Sequence, residues 1–594
     1  MKMDTLLSEG ESSVGASERK RRSRGSSPIG MLAVATLALS CFVFLVSGIT
    51  AISESPSAGF EDTGPYLQGA LIIKENGGIL DFIRQCVEGT FKVAEQQPAY
   101  LMVLSTFASR DIDFIRKAQI ATLLIGLLVV VAVFLSARDL FGDLTAASSS
   151  LLLALNGAFL VRSSHVAVET LLILFVVLSW WFTIKGRKDG RYWAAAGLAA
   201  GCAYMTKATA LVIVPAFAAF AILVLGRAAP HRRSFWLFFV MFLVLCVPWM
   251  IRNVIVYDAP IYGGVADHAP WLDRWSQLSD PRYGQILDWK QLTYTWNGLP
   301  TMSSYLADHS IAEIARRTVT GVIGEARLVV GALTLTIYPF SSSMFGLVLL
   351  LAAVSGVLLD IRSARGQLTC ILGLAFALPF AWYYQVVPEN RFVMPLIPLA
   401  VTYASYAVCG AIGRLHATGT QATRLDPRLL AAGALVICGF FACGSVLIGS
   451  GGIPALGSAK LDRDQEELFA YLRDNARDED GLLLAPTRRY FGYLWYANYR
   501  GKEVTAAGNS PLMVSSSLTD FTGFLKSRGV TIVVVHSENL SSPPALRDYF
   551  DYDQERGLSQ TQDIDGWNLV YRDSGRRFLI FRLNASEGPT AKVG

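Results

Sequence analysis

Apolar runs recur along this chain at 29–52, 114–137, 144–161, 168–184, 192–206, 209–226, 234–251, 343–360, 367–385, 392–413 and 429–449. Such runs are too long for strands and lack the polar face that a soluble helix turns to water. They bound the chain to a polytopic α-helical membrane protein with about eleven transmembrane helices. Composition agrees: 52% of the residues are hydrophobic and 17% charged, more apolar sequence than one soluble core buries. The net charge of +5 sits in short basic clusters between the runs. That pattern suits positive-inside anchoring and not a nucleic-acid face.

Residues 1–28 are polar, serine-rich and basic, with Arg19, Lys20, Arg21, Arg22 and Arg24, and read as a disordered cytoplasmic tail. The first run has no small-residue cleavage motif and is expected to stay as an anchor. Placing the clusters around Arg138, Lys185–Arg191, Arg227–Arg233, Arg362–Arg365 and Arg414–Arg428 in the cytoplasm gives an inside amino end and an outside carboxyl end. The remaining connections then share the extracytoplasmic side: loop 53–113, the turn Arg162–Glu169, Lys207, loop 253–327, Pro388–Arg391 and residues 451–594. The first loop has helical spacing over Tyr66–Glu75, Ile79–Glu95 and Pro98–Phe107, broken at Gly77-Gly78, and is expected to lie along the interface. Loop 253–327 carries Trp271, Trp275, Tyr283, Trp289, Tyr294, Trp296 and Tyr305, suited to headgroup level or to sugar stacking. The region 451–594 reads as a soluble α/β domain. Helices are expected at Gln465–Ala476 and Leu518–Ser527, and strands at Gly481–Ala485, Val530–His536, Trp567–Tyr571 and Arg577–Arg582. The membrane domain is thus 29–450, between the tail and this outer domain.

Four groups of chemical side chains fall on the outer side. Glu61 and Asp62 form an acidic pair just past the first span, with Tyr66 four residues on. Arg162, His165 and Glu169 occupy a tight turn, Lys207 stands at a junction of two apolar helices, and Arg252 and Arg391 lie at membrane boundaries. Singly, each has a plain structural reading as a snorkelling base or a capping acid. Together they suit sugar transfer from a polyprenyl phosphate. One carboxylate takes the acceptor proton, cations at headgroup depth stabilise the departing phosphate, and a second carboxylate orients the acceptor or helps hold a divalent cation. Asp62 and Glu169 are the pair that would hold such an ion. No Walker A sequence and no GxGxxG after a strand is present, which argues against a nucleotide-driven pump. Of four acidic DxD triplets, only Asp111-Ile112-Asp113 lies near this site. A lipid or sugar transporter or flippase without transferase activity is the competing reading. It calls for charges near the bilayer midplane and two related halves.

The acidic pair after the first span, the Arg162–Glu169 turn, GLAAGCAYMTKATALVIVP around Lys207, PWMIRN at Arg252 and ENRFVMPLIPL at Arg391 resemble the GT-C superfamily of polyprenyl-phosphate-sugar glycosyltransferases. Within it the chain is most similar to the protein O-mannosyltransferases and the lipid A aminoarabinose transferase, over roughly residues 29–450. The resemblance implies a hexosyl- or pentosyltransferase in the bacterial inner membrane, with a polyprenyl-phosphate-linked sugar as donor and a lipid, glycan or protein as acceptor. It makes Asp62, or Glu61, the catalytic base and Glu169 the second acid. Lys207, Arg252, Arg391 and Arg162 then stand near the lipid phosphate, with His165 and Tyr66 on the acceptor side. Where the family often has His or Pro-Pro before a tyrosine late in the first loop, this chain has Gln96-Gln97-Pro98-Ala99-Tyr100, which removes any contact made through that histidine.

Overall fold

The structure is a computed structural model. It describes residues 28–584 apart from 55–61, 94–95, 264–266, 276, 278–285, 289, 291, 296–297, 337–341, 419–425, 450–460, 486–492, 505–516 and 538–543. The first span is Pro28–Glu54 (α1). Three shorter helices follow it, Thr63–Glu75 (α2), Gly78–Glu88 (α3) and Pro98–Ser105 (α4). Gly77 caps α3 in a left-handed conformation, φ 99°, which only glycine adopts without strain. The helix ends at Glu88, earlier than its apolar spacing suggests, on Gly89 at φ 70°. Asp113–Phe141 (α5) starts on an acid and carries Arg138 in its last turn, aligned with the helix dipole.

The run expected as one span at 144–161 is two helices, Asp143–Ala154 (α6) and Gly157–Ser164 (α7). Asn156 causes the break: its side chain accepts from the Phe159 N–H at 2.8 Å and caps α7. Its amide donates to the Ala332 carbonyl at 2.7 Å and the Thr334 carbonyl at 3.2 Å. Gly157 N–H also donates to Thr334, and Thr336 N–H donates to the Leu155 carbonyl at 2.8 Å. Two interrupted helices therefore satisfy each other's freed backbone, the condition for irregular chain between membrane helices.

Next come Glu169–Gly186 (α8), Arg191–Thr206 (α9), Ile213–Leu225 (α10) and Arg233–Tyr257 (α11). At 16 residues, α9 is about 24 Å long, short of a ~30 Å hydrocarbon core. It stops at Lys207, whose extended backbone (φ −154°) leads into a 3-10 turn at Ala208–Val212. Among the described residues eight helices are long and apolar enough to cross a membrane, not eleven. The segments that fall short are the broken pair α6/α7, α9 and α10.

The described residues of the loop after α11 hold regular elements that its aromatic content did not announce. It contributes the strands Ile286–Asp288 (β1) and Thr293–Thr295 (β2), then Met302–Asp308 (α12) and the longer Ile311–Ala332 (α13). Trp271, Tyr305 and Trp382 cluster, with Arg317 over the last two rings. Tyr283, Trp289 and Trp296 lie outside the described residues. Gly321 lets α13 press on the following helices: a Cβ there would meet the Ala381 carbonyl at 1.7 Å. The membrane part closes with Ser343–Asp360 (α14), Ala364–Tyr383 (α15), Ile397–Thr418 (α16) and Pro427–Gly449 (α17).

The C-terminal part has Arg463–Asn475 (α18), Gly481–Ala485 (β3), Lys502–Val504 (β4), Leu518–Ser527 (α19), Val530–His536 (β5), Phe550–Asp553 (β6), Gly557–Gln560 (β7), Trp567–Arg572 (β8) and Phe578–Leu583 (β9). Seven strands form one sheet in the order β2-β1-β4-β3-β5-β9-β8, parallel where β3 meets β4 and β5. The two loop strands join this sheet through an antiparallel β1–β4 pairing. The apolar core under the outer loops continues into it, where Phe114 of α5 meets the fully buried Trp495 edge-on at 5.6 Å.

Candidate active site

Side chains from four distant parts of the chain meet around the start of α2, the turn between α7 and α8, and the segments that follow α9 and α15. Glu169 is the first residue of α8 and only 4% exposed; the Lys207 ammonium, freed by the end of α9, reaches it at 2.7 Å. A buried carboxylate needs such a partner. Arg162 sits in the last turn of α7, buried, and its guanidinium reaches the Asn390 side chain at 3.5 Å. Thr170 of α8 donates to the Arg162 carbonyl and ties the two sides of the turn.

Asn390–Phe392 forms a 3-10 turn after α15. Arg391 there pairs with Glu389 at 2.7 Å and reaches the Asp62 carboxylate at 3.4 Å. Phe392, stacked on Phe380 at 4.8 Å, holds two cations over its ring, Arg391 at 5.1 Å and Lys207 at 5.4 Å. Asp62, at the start of α2, is 54% exposed, and the adjacent Thr63 donates to the Val166 carbonyl at 3.5 Å. Tyr66, one turn further, meets Tyr100 edge-on at 5.4 Å. Burial first, then the charges of Asp62 and Glu169, push its phenol well above the ordinary tyrosine range. The hydroxyl therefore stays protonated.

Of the expected residues, Asp62, Tyr66, Arg162, Glu169, Lys207 and Arg391 are brought together. Glu61 lies outside the described residues. His165 follows α7, but its Nδ1 faces the Val161 carbonyl of its own helix at 2.8 Å. Arg252 is placed elsewhere: fully buried in α11, it donates to the Phe91 carbonyl at 2.8 Å, to the Val93 carbonyl and to Asn253 at 2.7 Å. There it clamps the segment between α3 and α4 to α11. Sequence reasoning passed over Asn390, Phe392 and Glu389, although all three adjoin Arg391. Among the described residues no group of three or more His, Cys, Asp or Glu side chains could hold a metal ion. Glu169 is already engaged by an ammonium, so the described residues do not fit a divalent-cation cage.

The two carboxylates differ in what they can do. Glu169 is locked to Lys207 and orients it, whereas Asp62 is open to water and held at one edge, so it is placed to take a proton. The three cations beside it are suited to a phosphate.

The family model described as dolichyl-phosphate-mannose-protein mannosyltransferase matches residues 100–251, the stretch holding Arg162, Glu169 and Lys207. The archaeal oligosaccharyltransferase AglB from Archaeoglobus fulgidus is similar at TM-score 0.50 and 13% identity, over 89% of this chain and 74% of that one. ArnT from Cupriavidus metallidurans, in the apo state, is similar at TM-score 0.50 and 15% identity, over 93% of this chain and 98% of that one. The chain shares the fold of these two proteins. No protein of curated function matches the chain by sequence. The shared fold runs through the membrane helices and into the C-terminal part, whereas the family-model match is confined to residues 100–251, about a quarter of the chain.

Proposed function

We propose that the chain is a membrane glycosyltransferase that moves a sugar from a polyprenyl-phosphate carrier to a lipid, glycan or protein acceptor on the outer face of a bacterial inner membrane. In this reading the amino end is cytoplasmic and the carboxyl end extracytoplasmic. The observation that carries it is the meeting of Asp62, Arg162, Glu169, Lys207 and Arg391 at one end of the helix bundle. The AglB structure with the same fold carries a dolichol-phosphate, a ligand of the chemistry this cluster suits.

Asp62 removes the acceptor hydroxyl proton as the acceptor oxygen bonds to the anomeric carbon. The bond from that carbon to the carrier phosphate breaks, and its electron pair leaves on a phosphate oxygen. Lys207, Arg391 and Arg162 stabilise the charge that gathers there. A single displacement inverts the anomeric centre, and no nucleotide is needed because the donor is already a glycosyl phosphate.

The purified protein, incubated in detergent with a radiolabelled polyprenyl-phosphate sugar and an envelope extract, is expected to pass label to an acceptor. Absence of transfer, together with carrier movement across sealed vesicles, would replace this reading by that of a lipid flippase.

A further inference from the structure

A second polar site lies between the first outer loop and the C-terminal part. Arg110, Asp111 and Ile112 line one wall and Arg473, Tyr496 and Asn498 the other, around a cleft of about 360 Å³, within the size range of ligand sites. Its walls are set by packing that needs no ligand. Phe114 holds Trp495 edge-on, Arg116 donates to the Ile52 carbonyl at the end of α1, and Asn498 is kept at φ 53° with its N–H on the Trp495 carbonyl at 3.2 Å.

The donors in this cleft are not used up within the protein. Arg473 lies 5.2 Å over the Tyr496 ring, and among the described residues no carboxylate pairs with it. Arg110 binds Glu75 at 2.8 Å through one nitrogen, so Arg473 is the guanidinium left to meet a ligand. Placed over an aromatic ring, it presents the fork that carboxylates and phosphates accept. Asp111, with one oxygen on the Asp113 N–H at 3.0 Å, and the Asn498 amide add groups suited to neighbouring hydroxyls.

We propose that this cleft binds a carboxylate-bearing saccharide, the part of the acceptor that lies beyond the reacting hydroxyl. The role of acceptor rests on the transferase reading; the binding itself does not. It gives Asp111 of the Asp111-Ile112-Asp113 triplet a place in recognition of substrate.

The test is direct binding to the full-length protein in lipid nanodiscs by titration calorimetry, with trigalacturonate, maltotriose and inorganic phosphate as probes. Trigalacturonate is expected to bind saturably and at least tenfold tighter than maltotriose. Arg473→Ala, at an exposed position that leaves the fold intact, is expected to weaken it tenfold or more, with partial recovery in Arg473→Lys. Phosphate at the same concentration should fail to displace it. No binding of trigalacturonate, equal binding of maltotriose, displacement by phosphate or indifference to Arg473→Ala each overturns the proposal. No donor and no turnover enter the measurement, so a failed transferase assay and a failed binding assay remain distinct results.

Discussion

Two ion clusters stand at opposite ends of α15 and are built in opposite ways. At its start, Asp360 is 5% exposed and takes Arg365 through contacts of 2.7 and 3.1 Å, with the Tyr403 hydroxyl at 3.3 Å. Arg365 also donates to the Leu140 carbonyl and lies over the Phe141 and Tyr406 rings. The carboxylate there is enclosed and both charges are answered. Past the other end, Arg391 is shared between Glu389 and an Asp62 that is more than half exposed. A closed pair holds helices in register; a half-open pair leaves a carboxylate able to exchange its proton. The difference lies in solvent access and in how many donors each acid receives, not in residue type.

The comparison breaks most readily at Asp62. Asp62→Asn is expected to slow transfer by about 10²–10⁴-fold, the usual worth of a general base, with no change in unfolding midpoint or carrier-lipid binding. Normal turnover in that variant would remove the distinction between the clusters. Asp360→Ala should do the reverse and destabilise the protein by about 2 kcal/mol, because the half-buried Arg365 and the Tyr403 hydroxyl lose their charged acceptor; thermal unfolding in detergent reads this out. Lys207→Met strands Glu169 and is expected to cost about 3 kcal/mol. The double variant with Glu169→Gln should regain that stability without regaining transfer, separating packing from chemistry. Arg391→Lys keeps the charge but loses the fork, and about a tenfold weaker apparent affinity for the lipid donor is expected in steady-state kinetics.

Glu325 supplies the smallest effect and a third kind of acid. It is buried on α13, outside the spans, with neither oxygen hydrogen-bonded, and burial raises its carboxyl to about 7. Its folded form holds the proton more tightly than the unfolded chain does, so stability declines as pH rises from about 4.5 through 7. Glu325→Gln is expected to match the native protein at pH 4.5 and to unfold a few degrees higher at pH 8. Equal midpoints at both values would show that the carboxyl titrates normally.

Much of this was legible in the sequence because length and apolarity act locally. The α1, α5 and α11 spans follow from their runs, and Gly481–Ala485, Val530–His536 and Leu518–Ser527 are where β-branched and helical patterns put them. Charge sidedness and the motif resemblance together put Asp62, Arg162, Glu169, Lys207 and Arg391 in one set, and the structure brings these five side chains near one another. What stayed hidden depends on partners far along the chain. Nothing near Asn156 announces that it will bond to Ala332 and Thr334, so a broken helix read as a continuous one. Arg252 has the same membrane-boundary setting as Arg391, and only the fold reveals that the carbonyls of Phe91 and Val93 claim it. The short strands β1 and β2 carry too few residues to show an alternating pattern.

Those two strands bind the halves of the polypeptide into one another. A fragment beginning near residue 460 would lack the edge that β1 supplies to β4, exposing unpaired backbone of the kind that recruits foreign chains. A version cut before that point would in turn leave β1 and β2 without a sheet to join. The C-terminal part is therefore not a detachable cassette: swapping it between proteins of this architecture requires exchanging residues 286–295 as well, which precede the four membrane helices α14–α17.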